Sequence, residues 1–103
     1  MVLEVYRSAA AFPASEKFGL VDQLKRAASS IPANIVEGQS RHTTKEYLQF
    51  LYNARGSLEE VRYFLLLSRD LQFLSQQQYA AIEIRYEKIS IMLNNLIKSL
   101  KQQ

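Results

Sequence analysis

Seven apolar residues near the C-terminus set the strongest constraint on the fold of this chain. Tyr79, Ile82, Tyr86, Ile89, Leu93, Leu96 and Leu100 recur at alternating steps of three and four. A helix gathers such residues into one narrow seam, of the kind that packs antiparallel neighbours at about 20°. Ser75 and Gln78 stand just ahead with the spacing of a capping box. One amphipathic helix cannot bury its own seam, so the rest of the chain must supply partners. Leu51, Ala54, Leu58, Val61 and Leu65 form a second stripe behind Thr43 and Glu46, which again have capping-box spacing. This helix is predicted to end near Asp70, at a length of about 40 Å. Leu20, Leu24, Ala28, Ile31 and Ile35 form a third stripe, with Ser15 as the expected N-cap and Glu16 in the first turn. The stripe runs through Pro32, so a kinked helix is predicted to continue to about Glu37, with Gly38 as its stop. Val2, Val5, Tyr6 and Ala9 mark a short leading helix that Pro13 ends.

The expected architecture is all-α: a single domain over residues 1–103, an antiparallel up-down-up-down four-helix bundle with a shortened first helix. Composition agrees. Hydrophobic content is 48%, with only 3 glycines and 2 prolines in 103 residues, which fits a packed helical domain rather than a linker or disordered chain. With no cysteine, thiolate metal sites, disulfides and cysteine nucleophiles are excluded. No apolar run approaches the ~20 residues of a membrane span. The N-terminus does not read as a signal peptide, and a cytoplasmic protein without a membrane role is expected.

Catalytic and metal chemistry find little footing. A di-iron bundle needs paired Glu-x-x-His motifs, but His42 is the sole histidine and sits in a predicted loop. Glu59, Glu60 and Glu83 have no histidine partner at helical spacing and read as salt-bridge groups. Nucleophile elbows and phosphate loops are absent from the sequence. Glu37, beside Ile35 and Val36, is the one candidate for a buried general base, and its plainer reading is a cap or ion pair at a helix end. No enzyme activity, metal, cofactor or small-molecule substrate is expected.

Charge patterning is more informative. The net charge is +3, which permits an anionic partner without demanding one. Arg55, Arg62 and Arg69 are seven apart and share one helix face, with Glu59 among them. They read either as a surface ion network or as an inter-helix or inter-subunit stripe making forked contacts to carboxylate or phosphate. Lys25, Arg26, Arg41, His42 and Lys45 form a second basic group. With Tyr47 and Tyr52 nearby, it is a candidate for holding a nucleic-acid backbone and stacking a base, against the plainer reading of a solvated face. Phe50, Phe64, Leu67 and Leu71 exceed what one core stripe needs, which predicts an oligomer interface.

The stretch FPASEKFGLVDQLKRAASSIPANIVEG resembles the proteins encoded in 23S rRNA intervening sequences. KEYLQFLYNARGSLEEV and the C-terminal MLNNLIKSLK are similar to two further blocks of that family, so the resemblance covers nearly the whole chain. It implies a four-helix bundle assembling as a ring-shaped homopentamer. It also implies kinship with a basic accessory protein of diversity-generating retroelements, which binds nucleic acid and a reverse transcriptase. RNA or a nucleic-acid-handling protein is the partner implied, and no catalytic role transfers. Arg26, Ile31, Pro32, Asn34, Glu37 and Gly38 match the first motif; Phe50, Leu51, Ala54, Arg55, Gly56, Ser57 and Glu60 match the second. Asn34 and Glu37 are placed to bond Arg26 or Arg55 of a neighbour, and Gly56 and Ser57 suit close helix approach. Family members start with a longer first helix, so the Ala27–Ile35 face here is expected to lack part of its partner.

Overall fold

The computed structural model describes Leu3, Val5 and residues 17–103. Among these residues the chain is all-helical, without strands. A π-helical turn, Lys17–Val21, leads into α1 (Asp22–Gln39), followed by α2 (Thr44–Asp70) and α3 (Gln76–Lys101). Leu3 and Val5 are helical as well, and Val5 is fully buried. The remainder of the expected first helix, and the expected Ser15 cap, lie outside the described residues.

The caps follow the sequence. Thr43 Oγ1 accepts from the Glu46 amide at 3.1 Å and begins α2. Ser75 begins α3 with both halves of a capping box: its Oγ accepts from the Gln78 amide, and its amide donates to Gln78 Oε1. Each arrangement satisfies amides that a helix start leaves open. α1 departs from the prediction at its end. Pro32 sits inside a continuous helix that runs on to Gln39, so Gly38 lies in the last turn rather than stopping it. Gly38 has a different purpose. A Cβ there would stand 2.8 Å from Tyr47 Cδ1 and 2.9 Å from Phe50 Cβ, so its bare backbone is what lets α2 turn back tightly.

Both connections are short, which makes consecutive helices antiparallel. Ser30 of α1 meets Ser57 of α2 at 2.7 Å, and Arg62 of α2 meets Glu83 of α3. α2 is the central element, packing on α1 and on α3. Its whole predicted stripe, Leu51 to Leu65, is 0% exposed. The main core joins Leu24, Ala28 and Ile31 of α1, Leu58, Val61 and Leu65 of α2, and Ile82 and Tyr86 of α3, with Val5 among them. A second core holds Leu51 and Ala54 against Leu93 and Ile97. Beside it α1 and α3 do not close: Ile31, Pro32, Ile35, Ile89, Met92, Leu93 and Leu96 line an open apolar groove of about 540 Å³.

Candidate nucleic-acid interface

The α1–α2 turn gathers three of the predicted basic residues. Ser40 Oγ donates to the Glu37 carbonyl, which fixes the turn. Arg41 Nη2 donates to Glu37 Oε1, and its guanidinium lies 4.6 Å from the Phe50 ring centroid. His42 and Lys45 are exposed alongside. Tyr47 and Phe50 are half-buried where they press on Gly38. The tip therefore presents a cationic edge on an aromatic base, suited to an anion and a stacked ring. Glu37 partly offsets that charge. Its side chain is 54% exposed and paired with Arg41, which is the ion-pair reading of this residue and not a buried base. Lys25 and Arg26 do not join the tip. Arg26 precedes the end of α1 at Gln39 by thirteen helical residues, about 20 Å along the axis, and Arg41 lies beyond that end. Lys25 is half-buried and Arg26 exposed on that distant stretch of α1.

The arginines of α2 point toward α3. Arg62 lies 2.6 Å from Glu83, 3.0 Å from Glu87 and 3.9 Å from Glu59. Burial works against the charge on its guanidinium. The Glu83 hydrogen bond and the charges of Glu83, Glu59 and Glu87 outweigh burial, so Arg62 is held more firmly protonated than usual. Arg55 donates to Asn94 Oδ1 at 3.2 Å and lies over Tyr52. Arg69 pairs with Asp70 and lies over Tyr79. This ladder is an inter-helix polar seam. Asn94, whose side chain is steadied by the Ser90 carbonyl, carries no sequence signal beyond its register with Arg55.

The motif residues have local partners. Asn34 Nδ2 donates to the Ser30 carbonyl and to Ser30 Oγ, so within the chain it braces the Ser30–Ser57 contact instead of reaching Arg26 or Arg55. Ser57 is where α1 and α2 approach closely. Gly56 is exposed, with nothing among the described residues within 4 Å of a would-be Cβ, although glycine costs a helix interior up to about 1 kcal/mol against alanine. Glu60 is exposed and Pro32 lines the groove. Of the predicted interface residues, Phe64 and Leu67 pack partly buried against the main core. Phe50 is covered by Arg41, and Leu71, the C-cap of α2, is 48% exposed. A central helix needs a wider apolar stripe than a peripheral one, which accounts for Phe64 and Leu67 inside a single chain.

The profile of the 23S rRNA-intervening sequence protein family matches residues 1–95. The chain belongs to that family. Among solved structures, this 23S rRNA-intervening sequence protein is similar to a protein of unknown function from the S23 ribosomal protein family of Bacteroides thetaiotaomicron VPI-5482. The two are 24% identical, with 94% of this chain and 88% of that chain covered and a TM-score of 0.83, a likeness of fold. No curated protein matches the chain. The Gly38 contact, the Ser57 crossing and the Arg55–Asn94 bond are built from residues of the three blocks that carried the resemblance.

Proposed function

We propose that this family member is a non-enzymatic cytoplasmic protein, a four-helix bundle that self-associates as a ring and binds structured RNA through the α1–α2 tip. The observation that carries the RNA reading is the tip itself: Arg41, His42 and Lys45 stand together on a rigid turn, with Tyr47 and Phe50 beneath them. A ring of copies repeats that cationic edge and multiplies its field. Binding through phosphates weakens steeply with salt, because each contact releases a counterion. About three phosphate contacts per copy correspond to about 40-fold weaker binding when salt rises fourfold. Fluorescence anisotropy with a structured ribosomal RNA fragment at two salt concentrations is the test. Lys45→Gln and Arg41→Gln should each weaken binding and flatten the salt slope. Binding that ignores salt, or that is unchanged in both variants, overturns this reading.

A second reading is a protein-interaction scaffold with no nucleic-acid role. The open apolar groove between α1 and α3 favours it, because contiguous apolar surface on a small protein marks a contact site. A protein that shows no salt-dependent RNA binding yet self-associates supports this alternative.

A further inference from the structure

The α2–α3 seam changes charge along its length. On α3 a single row recurs at helical steps: Glu83, Glu87, Asn94, Lys98 and Lys101. On α2 the matching row is Lys45, Tyr52, Arg55 and Arg62. At one level Arg62 meets Glu83 and Glu87. Two turns nearer the start of α2, Arg55 meets Asn94, an uncharged amide. Beyond that level the rows hold Lys45 on one helix and Lys98 and Lys101 on the other, all exposed. Tyr47, Leu48 and Tyr52 of α2 and Leu96 and Leu100 of α3 pack against one core there, which puts this end of the seam beside the α1–α2 tip.

Helix ends explain only part of this basic cluster. Lysines in the last turn of α3 suit its dipole, but Lys45 stands in the first turn of α2, where the dipole disfavours a cation. Among the described residues none of Lys45, Arg55, Lys98 and Lys101 pairs with a carboxylate. Arg55 gives one donor to Asn94 and lies 5.1 Å from the Tyr52 ring centroid, so its guanidinium is held in place with the rest of its fork unused. From these observations we infer that the RNA strand bound at the tip runs on along this end of the α2–α3 seam, its phosphates on Lys45, Lys98 and Lys101 and its last contact the fork of Arg55. The inference rests on the tip reading and extends that site onto α3. A fork suits phosphate oxygens, and the amide of Asn94 leaves the guanidinium its charge where a carboxylate would neutralise it. From Lys45 to Arg55 the strip is about 15 Å long. Glu59, Glu83 and Glu87 around Arg62 close it, because carboxylates repel phosphate.

Fluorescence anisotropy with the structured ribosomal RNA fragment over a range of salt is the test, with thermal unfolding of each variant. Asn94→Asp gives Arg55 an ion pair, so it should unfold no earlier than the wild type yet bind RNA about threefold or more weakly. Lys98→Gln, an exposed change that asks nothing of the core, should weaken binding about fivefold and lower the salt slope by about one. Lys88→Gln makes the same charge change on α3 off this row and should leave affinity and slope as they are. If Arg41→Gln weakens binding while Asn94→Asp and Lys98→Gln bind as the wild type does, the seam inference falls and the tip reading stands. If Lys88→Gln weakens binding as much as Lys98→Gln, net charge alone is responsible and the seam inference falls again. Absence of salt-dependent RNA binding overturns both.

Discussion

Gln72 is held in the left-handed region at φ 65°, where a side chain is strained and glycine is at ease. It occupies the C′ position of a Schellman turn: the Gln72 amide donates to the Arg69 carbonyl and the Phe73 amide to the Ser68 carbonyl. Gln72→Gly should therefore raise stability by about 0.5–1 kcal/mol, read as a higher denaturant midpoint with an unchanged slope. Tyr86 carries a different penalty. Its ring is fully buried and its hydroxyl finds no hydrogen-bond partner among the described residues. Tyr86→Phe should stabilise by about 1 kcal/mol, because an unsatisfied buried hydroxyl is removed while the packing remains. Burial also pushes the Tyr86 hydroxyl well above its ordinary pKa. The folded chain thus keeps a proton that the unfolded chain gives up, so stability holds below about pH 10 and falls as pH rises further. Urea titrations at pH 8 and pH 11 should show that fall in the wild type and a smaller one in Tyr86→Phe. Neither residue was legible in advance. Gln72 stood between two predicted helices with no turn signal of its own, and Tyr86 read only as one more apolar seam residue.

The elements themselves were legible because periodicity and caps are local. The 3–4 spacing of α3, the stripe of α2 and the caps at Thr43 and Ser75 depend on neighbours within a few residues. What one sequence does not show is which side of a helix each neighbour takes. That is why the sequence reads Gly38 as a helix stop and Gly56 as a point of close helix approach, and the structure gives the close approach to Gly38 instead. One is crowded by Tyr47 and Phe50, and the other has open space. Gly38→Ala should cost about 1–3 kcal/mol through overpacking, whereas Gly56→Ala should leave the isolated chain up to about 1 kcal/mol more stable. Thermal unfolding of the two variants at low protein concentration separates them. The Arg62 ladder likewise joins residues distant in sequence, so its glutamates could be foreseen as ion-pair groups but not assigned. Arg62 and Glu83 retain 29% and 24% side-chain exposure, so water screens the pair. Arg62→Ala should still destabilise by about 1–2 kcal/mol, because one Glu83 oxygen is already buried without a partner. A double-mutant cycle with Glu83→Gln reads the coupling directly.

At the scale of the whole molecule, the central place of α2 governs how the chain acquires its fold. Each connection joins helices adjacent in sequence, so the native contacts close short loops, and such topologies fold fast. Both helical hairpins share α2. Substitutions that weaken its inward stripe should therefore slow folding, because either hairpin needs that helix as a template. The far end of α3 is differently placed. Leu93 and Ile97 rest on Leu51 and Ala54 in the second core, whose surrounding apolar side chains are only partly buried, and the groove leaves Met92 70% exposed beside them. That end should open without global unfolding, and amide exchange after Ile89 should outpace exchange around Tyr86. The 540 Å³ groove should thus also mark a kinetic boundary: on one side of it the backbone is expected to exchange its hydrogens only when the molecule unfolds, and on the other whenever the last turns of α3 fray.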